Sequence, residues 1–586
     1  MQMFAFMLLI AGIAARCSSS GTQHLHVPQQ EAHSPRLSTT SSSSSSSSNS
    51  IRVVNNGARC SFSGICDGSS SRDCGPDGLG CVTSAKARKR HIQQAIKSSW
   101  RAYKHCAWGA DQLAPLSCKP QLCPWVPYNS SMTLLGAADL LWLMGDNMRA
   151  EYKQARAWIN DVITFERDFQ ADTFTLSMTF LGSLLALHDL TGDGMYLKKA
   201  INLADRTMVA YEASSSGWPW RNVNLRTGEV SGNVTNVGEA ASATLDFSKL
   251  TYITGDHRYK RAAYQLWHLL DRAPEGTWDG LVNTWWDVTN GSWLPGPNGT
   301  LDATWGGMGD LAYEYMLKTW VLSGGRDEVS LRLYTSAMRG MRKHILNITS
   351  SGTAWLSDVS WDPKTGSVTH GSSMQHLACF AGATIALGHM HGINTASQPG
   401  EPDDLAVAEA IAGGCYQMYR QSPSGLNAHA VDSLNGTHAT PTAGQAYYDQ
   451  QPELLESLFY LWRITGNATY RDWGWQIFRA MRMWTRLPNG AFACLASPTQ
   501  APFNYIDNTQ EWWLSESMKY LWLLFSDHSV LPLEEWVINT EGHPYRAQRW
   551  ASSSSSSSSS RSQAAGVHWS WRESGTSSKA AADGVQ

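Results

Sequence analysis

Three acidic residues stand at comparable points of a repeating pattern. Glu239, Asp310 and Glu453 each lie about 13 to 17 positions before a short stop such as "TGD", "SGG" or "TGN". Glu314 and Glu456 follow Asp310 and Glu453 by about one helical turn, so each pair shares a helix face. Carboxyls gathered in one pocket can divide general acid and general base work between them. A single acid in the first turn of a helix needs no such role, because it caps orphan N–H groups and complements the helix dipole. Several at equivalent repeat positions point instead to a shared acidic pocket. In this register Thr175 fills a slot where other repeats carry a carboxylate.

The elements that position these residues are helices. Within "TFTLSMTF" (173–180), hydroxyl residues alternate with apolar ones, which alone reads as a half-buried strand. The apolar spacing continues through Leu181, Leu184, Leu185, Leu187 and Leu190, so one helix over about 173–190 is the better reading. Thr175, Thr179 and Ser183 then share a face, either bonding back to the backbone or lining a polar cavity. Elsewhere, "LLWLMGD", "LHDLTGD", "LTYITGD", "TWVLSGG", "YLWRITGN" and "LWLLFSD" end helices that are apolar on nearly all sides, and most precede a one-sided helix rich in Lys and Arg. This is a helical-hairpin repeat of about fourteen helices, which closes as a toroid of seven hairpins. The fold class is all-α, and α/β classes drop out because no strand–helix alternation is present.

Net charge is −3 with 16% charged residues, which gives no support for nucleic acid or an anionic membrane surface as partner. The 27 Trp and 20 Tyr serve first in inter-helix packing, and any surplus suits a carbohydrate cleft. Residues 1–17 read as a secretory signal peptide, 18–59 as a Ser-rich disordered linker, 60–84 as a small Cys-rich segment and 549–586 as a low-complexity Ser-rich tail, leaving 85–548 as the helical domain. Sequons at Asn129, Asn233, Asn290, Asn298, Asn347, Asn435 and Asn467 agree with passage through the secretory pathway, as does the even number of cysteines after residue 17. The expected location is the ER or Golgi lumen, or the exterior.

The stretches "WGADQLAPLS" (108–117), "GGMGDLAYEYMLKTW" (306–320), "MQHLACFAGATIALG" (374–388), "QQPELLESLFYLWRITGNATYRDWGW" (450–475), "LSESMKYLWLLFSD" (514–527) and "EEWVINTEGHP" (534–544) resemble the inverting α-1,2-mannosidases of glycoside hydrolase family 47. The resemblance runs through essentially the whole helical region, in order. It implies an (α/α)7 barrel that trims terminal α-1,2-linked mannose from high-mannose N-glycans with the help of Ca²⁺, and a chain expected to act as a monomer. Carried over residue by residue, Glu453 is the general base, Asp310 and His376 are active-site groups, and Glu314, Glu456, Glu516 and Glu541 line the sugar site with Glu239. Thr540 would offer carbonyl and hydroxyl oxygens to calcium, a hard cation that takes oxygen ligands. Cys379 and Cys415 match the family's paired cysteines.

Five positions depart from the family pattern. Thr175 stands where the general-acid Glu is expected, Thr179 for Arg, Gly136 for Asp, Gln112 for Glu and Gln451 for Arg. A threonine hydroxyl does not donate a proton near neutral pH. Two readings follow: a mannosidase whose proton comes from Asp310 or Glu239, or a catalytically silent relative that binds mannose-type glycans as a lectin.

Overall fold

The computed structural model describes residues 77, 79–123, 126, 129–432 and 439–550. The expected signal segment (1–17), the Ser-rich linker (18–59), most of the Cys-rich stretch, the tail beyond residue 550 and the sequon at Asn435 lie outside the described residues.

Among the described residues, fourteen helical segments alternate between an outer and an inner position. In chain order they are α1 (Ala85–Cys106), α2 (Met132–Leu143), α3 (Arg149–Asp161), α4 (173–191), α5 (194–212), α6 (237–254), α7 (His257–Leu270), α8 (Asp310–Leu322), α9 (Glu328–His344), α10 (376–390), α11 (Asp404–Arg420), α12 (Glu453–Thr465), α13 (Ala468–Trp484) and α14 (513–524). The even-numbered helices form the inner ring. Inner α14 packs on α12 and on α2, which closes the ring, and outer α1 covers α14. The first and last helices of the toroid are thus hairpin partners, and the expected seven-hairpin architecture is the one observed.

Burial explains the division. Every residue of α8 from Leu311 to Leu322 is buried, as is α2 from Met132 to Leu141. Outer α7 buries one side only, through Tyr259, Ala262, Ala263, Leu266 and Leu270 among others.

The stops have one recurring construction. Gly192, Gly255 and Gly466 end α4, α6 and α12 in the left-handed conformation (φ 71°, 74° and 69°), which glycine adopts without a Cβ penalty. The next residue, Asp193, Asp256 or Asn467, caps the following outer helix by accepting the N–H of Met195, Arg258 or Thr469. That capping residue's own N–H donates to the preceding threonine hydroxyl, Thr191, Thr254 or Thr465, at 3.1 Å in all three. Three residues therefore close one helix, reverse the chain and open the next.

Two details differ from the sequence reading. Residues 173–191 form one continuous helical segment, but Leu176–Leu181 is a π turn. Its wider i→i+5 bonding breaks the uniform register in which Thr175, Thr179 and Ser183 share one face. Short antiparallel strands also decorate the connections, for example Gln170–Asp172 paired with Asn222–Asn224. They are two or three residues long, too short to leave an alternating pattern. One such hairpin, Trp536–Ile538 with Pro544–Arg546, packs against α8 and α4.

Cys379 and Cys415 form a disulfide with Cα atoms 6.0 Å apart, tying inner α10 to outer α11. A second bridge, Cys106–Cys118, fastens the end of α1 to the following loop.

Candidate active site

Each inner helix enters the barrel from the end where the long connections lie, and its first turns carry the site residues. At α6, Asn236 caps the helix by accepting the N–H of Glu239 at 2.8 Å. At α8, Asp310 accepts the N–H of Leu311 at 2.8 Å. Helices α8 and α12 are each entered through a non-glycine residue at positive φ, Met308 (78°) and Gln450 (67°), two and three residues before their first acid. Such backbone costs about 1–3 kcal/mol and gathers at functional sites.

Glu453, at the start of α12, is held by His376 of α10: the imidazole Nδ1 lies 3.0 Å from Oε2. His376 is fully buried, which pushes it down to about 3 and leaves it neutral. When Glu453 is ionised, the neutral ring donates from Nδ1 to it and accepts the Tyr419 hydroxyl at Nε2, 2.8 Å away. One turn deeper, the buried Lys318 ammonium bridges Glu314 and Glu456, the latter at 3.0 Å. Glu516 enters from the π turn at the start of α14. Thr540 and Glu541 come from the tip of the final hairpin, which Asn539 organises by accepting the N–H groups of Glu541 (3.1 Å) and His543 (2.8 Å). The Asn539 amide donates to the Met178 carbonyl at 2.9 Å, so the tip is locked into the π turn of α4. Below it, Asp139 binds both Lys519 and His543 at 2.8 Å.

The electrostatics of this pocket are one-sided. Burial is the main cause, and neighbouring carboxylates add to it: Asp310, Glu453 and Glu541 are pushed up to about 8, Glu456 to about 7, and Glu516 well above its ordinary range. Lys318 is already shared by two acids and Lys519 by Asp139, so carboxyls outnumber the cations beside them. An all-oxygen, electron-rich pocket is the donor set of a hard cation. Among the described residues no three acids bring their carboxylate oxygens within 4.8 Å of one another, so the acids do not by themselves form a carboxylate cage. The oxygen-only donor set still suits a hard cation.

Glu239 stands apart from this cluster. It is ion-paired at 2.8 Å with Arg221, and its other charged neighbour is Asp172. Asp172 caps α4 by accepting the Thr175 N–H at 2.7 Å, while its second oxygen is buried with no hydrogen-bond partner. Burial pushes both Asp172 and Glu239 upward. The slot at Thr175 is thus bordered by two carboxyls and one arginine from other positions. Sequence reasoning missed Asp172 and Arg221, which lie on short strands and loops. It also missed Lys318, although its i+4 spacing from Glu314 was a usable signal.

The other departures are also accommodated. A Cβ at Gly136 would meet the Ser515 Cβ at 3.3 Å, so α2 and α14 approach closely where an aspartate is expected. Gln451 reaches His429 at 3.1 Å, and His429 faces Asp449 at 3.3 Å. Gln112 donates to Glu511. The hydroxyls of α4 divide by role: Ser183 donates to the Thr179 carbonyl at 2.6 Å and lies 2.9 Å from His543, and Thr173 donates to the Arg221 carbonyl at 3.1 Å.

Residues 95–547 match the model for "Glycosyl hydrolase family 47". The chain is 31% identical over 490 residues to a Drosophila melanogaster mannosyl-oligosaccharide alpha-1,2-mannosidase IA, a match covering 81% of this chain and 69% of that protein. It is equally 31% identical over 476 residues to the human endoplasmic reticulum mannosyl-oligosaccharide 1,2-alpha-mannosidase, covering 78% of this chain and 64% of the human one. In fold it is similar to an alpha-1,2-mannosidase from Trichoderma reesei, with a TM-score of 0.67 and 24% identity over 79% of this chain and 99% of that one.

Proposed function

This chain belongs to glycosyl hydrolase family 47, and from that premise we propose that it hydrolyses terminal α-1,2-linked mannose of high-mannose N-glycans slowly and with inversion. The proton donor is Asp310. The observation that carries this assignment is a contrast between two carboxyls. Asp310 is raised to about 8 by burial and by the charges of Glu314 and Glu453, with no cation among the causes, whereas Glu239 is held by Arg221. Of these two candidate donors Asp310 is the one with no cation beside it to favour ionisation; Glu453, raised equally to about 8, must ionise to act as base, a form that the hydrogen bond from His376 favours.

In the step itself, Glu453 takes a proton from water as the water oxygen bonds to the anomeric carbon. The carbon–oxygen bond to the leaving sugar breaks, and Asp310 gives its proton to that oxygen. His376 fixes the Glu453 carboxylate, and Glu314, Glu456, Glu516 and Glu541 hold sugar hydroxyls. The carbonyl and hydroxyl oxygens of Thr540 would hold a calcium ion, with the glutamates contributing through water, and the ion would supply positive charge that favours ionised carboxylates. The missing acid at Thr175 predicts a rate about 10²–10⁴-fold below that of a fully equipped site, roughly 3–5 kcal/mol of barrier.

A second reading, a mannose-glycan lectin, draws support from Thr175 and Thr179 together: the acid slot has changed while the acids of the opposite half remain. The place of action is the secretory lumen, in keeping with the relatives' names and the sequons; no described helix is long and apolar enough to cross a membrane. Incubating purified protein with a high-mannose N-glycan and Ca²⁺, and following the loss of hexoses by mass spectrometry, separates the readings. Loss confined to α-1,2-linked mannose supports hydrolysis, and saturable binding with no loss supports the lectin.

A further inference from the structure

The sequons are not spread evenly over the barrel. Chain order assigns each connection to one of two ends: stops between an inner helix and its outer partner lie at one end, and links from an outer helix to the next inner helix lie at the other, where Glu239, Asp310 and Glu453 sit. Asn129 lies in the α1–α2 link, Asn233 in α5–α6, Asn290 and Asn298 in α7–α8, and Asn347 in α9–α10. Asn467, by contrast, is part of the stop between α12 and α13, at the far end.

All five link asparagines are exposed. Among the described residues none of them donates its side-chain amide to a protein acceptor. Some asparagines outside sequons do donate theirs: Asn283 to the Trp285 carbonyl at 2.7 Å, and Asn539 to Met178. Local conformation also presents the amide. The Asn290 carbonyl oxygen accepts the Ser292 N–H at 2.8 Å, an Asx turn that fixes the oxygen inward and leaves the nitrogen outside. Asn298 occupies the tip of a tight turn at φ 70°.

We propose that Asn129, Asn233, Asn290, Asn298 and Asn347 carry N-linked glycans that form a collar round the long-connection end of the barrel. The donor is a lipid-diphosphate-linked oligosaccharide used by a separate transferase. A bond forms between the asparagine Nδ2 and the anomeric carbon, the carbon–oxygen bond to the diphosphate breaks, the amide proton is released, and the lipid diphosphate leaves. Resting on the reading of the site given above, the collar selects substrates by shape: a slender glycan branch passes between the bulky sugars, while a broad folded protein surface does not approach.

The full chain, secreted from a eukaryotic host, tests this directly. It is deglycosylated by peptide N-glycosidase in ¹⁸O-water and mapped by mass spectrometry, which reads each occupied asparagine as labelled aspartate. Label at three or more of the five link positions is expected, and label at fewer overturns the collar. The selection role is read from the ratio of activity, or of binding, towards a protein-borne glycan over the same glycan free in solution. That ratio is expected to rise severalfold when the five positions are changed Asn→Gln, or when folded protein is deglycosylated enzymatically should the variant not be secreted; an unchanged ratio overturns the role. Failure of both glycans to bind any form contradicts the functional reading instead, and the occupancy result stands on its own.

Discussion

His376 of α10 and Glu453 of α12 meet through a single hydrogen bond, Nδ1 to Oε2 at 3.0 Å, with the Tyr419 hydroxyl fixing the ring from its other side. A neutral histidine so held is a positioning group for the general base. Changing His376→Ala should lower kcat about 10–100-fold, the scale of a small misplacement of a reacting group, with a smaller change in KM. Equal kcat in the variant, measured on a high-mannose glycan, would show that Glu453 needs no such support.

The disulfide Cys379–Cys415 encloses a loop of sequence separation 36. Chain entropy predicts about 3–4 kcal/mol of stabilisation from a loop of that length. Replacing both cysteines with serine should lower Tm by several degrees while leaving the helical content unchanged. An unaltered Tm would mean that α10 and α11 are already held by their packing.

Stability should fall with rising pH when calcium is removed. In the folded protein Asp310, Glu453 and Glu541 titrate near 8, above their ordinary values of 3.8 and 4.5. Groups raised in this way contribute fully below their unfolded pKa, and the contribution is lost as pH climbs through the folded one. Tm of the chelated protein should therefore drop between about pH 5 and pH 8. Millimolar Ca²⁺ should restore more at pH 8 than at pH 5, in proportion to the logarithm of its excess over Kd. A Tm indifferent to calcium at pH 8 would contradict the cation site at Thr540.

The toroid was legible in the sequence because its stops are chemically explicit: a threonine, a glycine that turns left-handed and a carboxylate or amide that caps. The same repeat placed Glu239, Asp310 and Glu453 in the first turns of inner helices, where the structure has them, while the roles expected for His376 and Thr540 came from the resemblance alone. The π turn at Leu176–Leu181 was not legible: its Met178 carbonyl accepts the Asn539 amide of the hairpin tip, a contact across 361 positions of sequence that no local pattern shows. Asp172 and Arg221 were hidden for a similar reason. Strands of three residues carry no period, and only the pairing of Asp172 with Asn222 brings the neighbouring Arg221 to Glu239.

Restoring the family's acid should require two changes at once. Thr175→Glu alone places a carboxylate beside Asp172 and near Glu239, where like charges and burial leave its pKa and rotamer uncontrolled. Thr175→Glu with Thr179→Arg should raise turnover by more than the product of the two single effects, because neighbours in one network are non-additive. Strictly multiplicative effects in the double-mutant cycle would show that the two positions act independently.

The assignment of Asp310 as proton donor opposite Glu453 is tested most directly by following mannose release from an α-1,2-linked mannobiose by NMR, in wild type and in Asp310→Asn. The account predicts slow release with β-mannose appearing first in the wild type, and no release above background in the variant. Release from Asp310→Asn at the wild-type rate, or α-mannose as the first product, would contradict it.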